Sequence, residues 1–528
     1  MNPIKTGVFN NCIMRCFLAF IGLLLGIFNN YQIQAQVIQE QVIPGELPDP
    51  SIIEVDGTYY ATGSSNDWGP IFPIYRSTDL QNWTLENYVF QEKPSWTKSS
   101  FWAPELMYQN GTFYCYYTAK RTDDTSLIGV ATTTDISKGF KDQGQLLEWG
   151  NEAIDPYVYR EEEKLFITWK AYGLTPEKPI QILGSELSGD GLSLRGKSFK
   201  ILAAEENSWE NGGIEGQCII KKDGYIYMFY SGNTCCGPSC DYQIGVARAK
   251  TIEGPWEKYD QNPLLKGNET WKCPGHGTAL KTKDKYYYLY HAYRSHGFPY
   301  LGRSAILGQI KWNMESKWPY FKEDASYTSS EILKKDLYDN FSGEKLGNWW
   351  RYNIPSYAFK TSIKDNALVL TEVRRSENNS SGTVIGVNPE DAGFTITTKI
   401  VEQNQALKGV VLYATKDNSL GLGVKGNSMI LWKVKDGQFI ELNNIPLDNS
   451  ENLYLKGRIT DAHIVEFLYS YNGNDWQSIR NKKENSLKVT GDNLSWWSWG
   501  IKAGLFVQTD PDSGNNTGVF DDFHIKYE

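Results

Sequence analysis

Histidine and methionine are scarce in this chain, at 5 and 6 of 528 residues. Lys and Arg nowhere gather into a basic stripe, and 53 of them against 62 Asp and Glu leave a formal net charge of −9. Neutralising a phosphate backbone requires such a stripe, so nucleic acid is excluded as an expected partner. The apolar run at residues 16–28 (CFLAFIGLLLGIF) falls short of the roughly 20 residues that cross a bilayer, which argues against a retained membrane anchor. Around Cys235, Cys236 and Cys240 there is no paired Cys-x-x-Cys and no His at matching spacing, so a loop stapled by one or two disulfides is expected there over a zinc knot. No Pro-, Gly- or Ser-rich linker divides the chain, so its parts should pack together.

Lys5 and Arg15 precede the apolar run and the small-residue exit Gln34-Ala35-Gln36 follows it. A secretory signal peptide over residues 1–35 is therefore expected, with export to a periplasm or beyond and a soluble mature protein. Cys115, Cys218, Cys235, Cys236, Cys240 and Cys273 then remain, in a compartment that permits disulfides.

What the chain has in quantity is aromatics, with 33 Tyr, 22 Phe and 18 Trp, and glycine, at 48. These fit a turn-rich all-β build. One pattern recurs five times: a polar anchor, an apolar run, a turn and an aromatic run. The copies read DPSIIEVDGTYYATG from Asp49, APELMYQNGTFYCYY from Ala103, DPYVYREEEKLFITW from Asp155, EGQCIIKKDGYIYMFY from Glu215 and HGTALKTKDKYYYLYHAY from His276. Each is a hairpin, closed in three copies by Asp56-Gly57, Asn110-Gly111 or Asp223-Gly224, residue pairs suited to turns with φ > 0. The anchors stand 54, 52, 60 and 61 residues apart, enough for four strands each. Such radial repetition predicts a five-bladed β-propeller over residues 36–334. Over residues 335–528 the repeat stops, and short alternating runs such as Gly409-Val410-Val411-Leu412-Tyr413 predict a two-sheet β-sandwich of the jelly-roll or concanavalin-like kind.

Three anchors are acids. Closing the ring brings Asp49, Asp155 and Glu215 around one funnel, where mutual repulsion and desolvation should raise at least one pKa toward neutrality. Against a sugar, one carboxylic acid can protonate the leaving oxygen, one carboxylate can activate water, and a third can orient and tune the acid. Trp102 and Trp68 are candidate walls for a sugar face, or else blade core.

In Leu47-Pro48-Asp49-Pro50, Phe101-Trp102-Ala103-Pro104-Glu105, Ile154-Asp155-Pro156 and Ile214-Glu215-Gly216 the chain resembles glycoside hydrolase family 43. The resemblance implies an inverting hydrolase with Asp49 as general base, Glu215 as general acid and Asp155 as the orienting, pKa-tuning residue. It further implies that Arg303 binds substrate and that His276 is an axial histidine holding a Ca2+ ion largely through waters; the plain alternatives are a surface charge and a core histidine. The ending Val519-Phe520-Asp521-Asp522-Phe523 resembles the concanavalin-like modules of the same family. Such a module can bind carbohydrate, complete one rim of the funnel, or only stabilise the propeller. The expected activity is exo-release of terminal pentoses, α-L-arabinofuranosyl units first, from plant oligo- or polysaccharides by a monomer. A β-xylosidase is the alternative, and a non-catalytic carbohydrate-binding propeller the opposing class.

Overall fold

The computed structural model describes residues 40–528 apart from 174–178, 284, 299, 323–333, 355–357, 375–378, 448–451, 495–498 and 510–516. The expected signal peptide lies outside the described residues.

Five antiparallel sheets, four of four strands and the last of five, follow one another along the chain, beginning with the strands Ser51–Val55, Thr97–Gln109, Ala153–Glu161, Ile214–Lys222 and Trp271–Thr282 (blades 1 to 5). The fifth takes an outer strand from the start of the described chain, because Glu40–Ile43 pairs with Arg303–Trp312 and closes the ring. The three expected hairpin turns have both residues at positive φ, for example 50° and 75° at Asp56 and Gly57. The aromatic load sits largely between blades, where Phe229, Tyr288, Tyr290 and Phe321 share one core between blades 4 and 5. Flat rings fill the wedge that diverging twisted sheets leave open.

The C-terminal part packs a nine-stranded sheet on an eight-stranded one around a core that includes Phe394, Leu412, Leu455, Phe467 and Phe523. Its eighth strand is supplied by the propeller: Trp68–Gly69, in blade 1, pairs with Arg351–Asn353. Arg351 donates to Ser65 Oγ and to the Trp68 carbonyl, both at 3.1 Å. The expected close packing of the two parts thus takes the form of a shared sheet.

This seam corrects the expectation for Trp68. Its ring is 4% exposed and packs among Val384, Leu407, Val411, Tyr413 and Trp432 of the sandwich, so it forms no sugar wall. Trp68→Ala is expected to lower stability by about 3–5 kcal/mol, the usual scale for emptying a buried tryptophan site. KM of the remaining folded enzyme should not change. Denaturant unfolding beside Michaelis kinetics checks both parts.

Candidate active site

At the anchors of blades 2 to 5 the innermost strand bulges. Pairing within blade 2 skips from Trp102 to Glu105, within blade 3 from Ile154 to Tyr157 and within blade 4 from Glu215 to Cys218. Asp49, Ala103, Asp155, Gly216 and His276 all have positive φ, between 37° and 60°. A bulge with one left-handed residue re-aims the neighbouring side chain and frees the backbone N–H. In each blade that N–H is taken by a side chain of the blade before it. Asp49 N–H donates to His291 Nδ1 (3.0 Å), Ala103 N–H to Ser64 Oγ (2.7 Å), Asp155 N–H to Thr118 Oγ1 (3.1 Å) and His276 N–H to Ser231 Oγ (2.7 Å).

Blade 4 departs from this pattern in two linked ways. The residue equivalent to Asp155 is Gly216, and Glu215 stands one position earlier, level with Ile154 and Trp102. A side chain at 216 would meet His276, with a Cβ 2.7 Å from its Cγ. In blade 3 the second strand carries Lys170 where the other blades carry Ser64, Thr118, Ser231 and His291. Lys170 leaves the anchor amide and reaches Glu215 Oε2 at 2.6 Å and Glu152 Oε1 at 3.7 Å. The Gly216 N–H donates to Asp155 Oδ2 instead, at 3.3 Å.

The three acids line one cavity of about 560 Å³ together with Trp102, Lys170, His276 and Arg303. Asp49 Oδ1 accepts from Arg303 Nη1 at 2.7 Å and its Oδ2 from Ser64 at 2.5 Å. Arg303 is 2% exposed, which sets aside its reading as a surface charge. His276 Nδ1 lies between the acids, 3.6 Å from Asp49 Oδ1 and 3.8 Å from Asp155 Oδ2. Tyr242 donates its hydroxyl to Glu215 Oε1 at 2.9 Å. Trp102 Nε1 donates to Asn66 at 3.0 Å, leaving its half-buried ring on the cavity wall.

Charge is divided unevenly. Burial works against ionising Asp49, but the Arg303 guanidinium beside it outweighs this and holds the carboxyl well below the usual range. Burial, reinforced by the charge of Glu215, pushes Asp155 up to about 7. Burial acts on Glu215 as well, yet the Lys170 ammonium overrides it and keeps that pKa low. The carboxyl expected to rise is therefore Asp155, and Lys170, absent from the expected site residues, is what keeps Glu215 from rising with it. His291 is kept neutral by burial and by Arg303, its pKa lowered to about 4, consistent with Nδ1 accepting the Asp49 N–H.

Below the acids, Glu105 is buried against the hydroxyls of Ser51 and Thr278, and burial raises it to about 8. Folded protein holds the Asp155 and Glu105 protons up to about pH 7 and 8, whereas the unfolded chain releases them near 3.8 and 4.5. Folded-state values above the unfolded ones mean stability that is full below about pH 4 and lost as pH rises through 7 to 8. Glu105→Gln should flatten part of this decline between pH 5 and 8.5, measured by urea unfolding across that range.

The sandwich also enters the site. Trp499 lines the cavity and stacks over Arg303, with the guanidinium carbon 4.6 Å from the ring centroid. Glu46, three residues before Asp49, accepts from Gly500 N–H at 2.7 Å and pairs with buried Lys502 at 3.0 Å. Of the roles open to this module, completing a rim of the funnel is therefore realised. The cysteines settle into two disulfides, Cys235–Cys236 and Cys240–Cys273, while Cys115 and Cys218 stay buried and free.

Among the described residues no group of three or more His, Cys, Asp or Glu is arranged to hold a metal ion. His276, the residue expected to hold calcium largely through waters, faces the Asp49 and Asp155 carboxylates at 3.6 and 3.8 Å.

Acids of opposite protonation tendency around one sugar-sized cavity on a five-bladed propeller define a propeller glycoside hydrolase. The family model of glycosyl hydrolases family 43 matches residues 38–319, and the chain belongs to that family. Residues 338–526 match the β-xylosidase C-terminal concanavalin A-like domain. Over 539 aligned residues the chain is 23% identical to a β-xylosidase of Bacillus subtilis, covering 91% of this chain and 97% of that protein. It is 24% identical to a non-reducing end α-L-arabinofuranosidase of Bacteroides ovatus, covering 78% and 79%. The crystal structure of xylan β-1,4-xylosidase from Bacillus halodurans shares the fold, with a TM-score of 0.76 at 23% identity over 93% of this chain and 100% of that one.

Proposed function

We propose that the protein is an exported, inverting, exo-acting glycosidase that releases terminal pentoses, α-L-arabinofuranosyl units first, from plant-type polysaccharides. The observation that carries the reading is the division of charge among Asp49, Asp155 and Glu215 around one cavity rimmed by Trp499. Asp49 stays ionised and can take a proton from water on one face of the sugar. Glu215 delivers a proton to the leaving oxygen on the other face. Asp155 keeps its own proton up to about pH 7, so it adds no second negative charge beside Glu215, and it accepts from the Gly216 N–H that follows the acid. Lys170 sits between Glu215 and Glu152, so an ammonium drawn toward Glu152 on substrate entry would let Glu215 protonate. Arg303 orients Asp49, and no step is routed through calcium.

A cavity rimmed by a second domain favours a chain end over a continuous polymer, which supports exo action. Release of terminal xylose is the second reading, favoured by the near-complete coverage of the B. subtilis β-xylosidase and by the named C-terminal module. The test is a panel of aryl α-L-arabinofuranosides and β-D-xylosides with the first-formed anomer followed by NMR. Inversion on one of the two is expected; retention on either overturns the mechanism, and inactivity on both overturns the substrate class.

A further inference from the structure

We propose that the Cys235–Cys236 disulfide is a wall of the sugar pocket and determines how tightly the terminal sugar is held; this rests on the hydrolytic reading above. The two cysteines lie in the loop between strands Tyr225–Gly232 and Gln243–Ala249 of blade 4, and both line the cavity that contains Asp49 and Glu215. Cys235 Sγ is 4.0 Å from Arg303 Nη1, the nitrogen that binds Asp49 at 2.7 Å. The sulfur therefore borders the pair that carries the proposed base.

Both ends of this loop are anchored. Asn233 N–H donates to the Glu210 carbonyl at 2.9 Å and Asp241 N–H to the Thr234 carbonyl at 3.1 Å. Cys240 is joined to Cys273, three residues before His276. Half-buried Cys235 packs against the core of Tyr242, Cys273 and Tyr293, and Tyr242 is the residue that hydrogen-bonds Glu215. A link between adjacent cysteines held on such a base cannot swing away from the cavity.

Its chemistry suits the position. A sugar offers hydroxyls at its edges and C–H groups on its faces, and the floor of the cavity is already dense with charged partners for the hydroxyls. A disulfide has no N–H or O–H to satisfy and presents polarisable sulfur of low hydration, a good surface for C–H packing. Reduction replaces it with two separately rotating thiols, each a weak donor. The face contact and the shielding of Arg303 are then both lost.

The test compares Cys235→Ala/Cys236→Ala, Cys240→Ala/Cys273→Ala and the parent, with and without a dithiol reductant. It reads calorimetric titration of L-arabinose and D-xylose beside KM and kcat on the aryl glycosides. The first double variant should bind the preferred monosaccharide and substrate about 10-fold more weakly, the scale of one small apolar contact, with kcat within about 3-fold. Reductant should produce the same loss in the parent and in Cys240→Ala/Cys273→Ala, and none in Cys235→Ala/Cys236→Ala. Parental affinity in that variant, or a reductant effect that follows Cys240 and Cys273, overturns the proposal. Should the variant fail to fold, reduction of the parent with its fold followed by near-ultraviolet circular dichroism decides the same question. A parent that binds sugar but cleaves no glycoside overturns the hydrolytic reading and leaves the wall standing.

Discussion

Glu215→Gln is expected to lower kcat by about 10²–10⁴-fold on glycosides with poor leaving groups, the range for losing a positioned general acid. Glutamine has the same shape: its one oxygen can still accept from Lys170, 2.6 Å from Oε2 in the parent, and its NH2 can donate to the Tyr242 hydroxyl, 2.9 Å from Oε1 in the parent. The fold should therefore survive. What disappears is the transferable proton. A dinitrophenyl glycoside, whose departing oxygen needs no proton, should lose far less, so the ratio of variant to parent kcat ought to rise with leaving-group acidity. An equal loss across all leaving groups would place the acid elsewhere. Asp155 would be the first candidate, since it keeps its proton to about pH 7.

Asp49→Asn should be as damaging to turnover and, unlike the acid variant, costly to stability. The missing base accounts for about 10²–10⁴-fold in kcat. The stability loss comes from Arg303, 2% exposed and 2.7 Å from the carboxylate. A buried guanidinium deprived of its charge partner costs about 3–5 kcal/mol. Kinetics at a temperature where circular dichroism confirms the folded state separates the two effects. Activity within about 10-fold of the parent in folded protein would remove Asp49 from the base role.

These two residues also mark how far the sequence could be read. Asp49, Asp155 and Glu215 stood out because each opens a repeated hairpin, and repeats at similar spacing must converge when the ring closes. Their equivalence was only approximate. Aligning the anchors put Glu215 level with Asp155, whereas strand pairing puts Gly216 there and Glu215 one residue earlier. A signal was available, since glycine is the residue that tolerates positive φ beside the crowding His276. Lys170 was legible in the same way. Aligning the aromatic runs places it in the column of Thr118, Ser231 and His291, a charged residue among neutral ones. Trp68 carried no such mark, because a tryptophan after a hairpin looks alike whether it faces sugar or another domain.

The all-β class, the five-fold repeat, its hairpin turns and the identity of the acids can be read from residue order, since these depend on local periodicity and on residues whose φ preference is intrinsic. Which acid keeps its proton, that Trp499 reaches the cavity and Trp68 does not, and that Cys235 borders Arg303 emerge on folding. Each of those depends on groups far apart in the chain, brought within a few ångströms by ring closure and by a sheet shared between two domains. Charge and burial act through such distances, and spacing along the chain does not contain them.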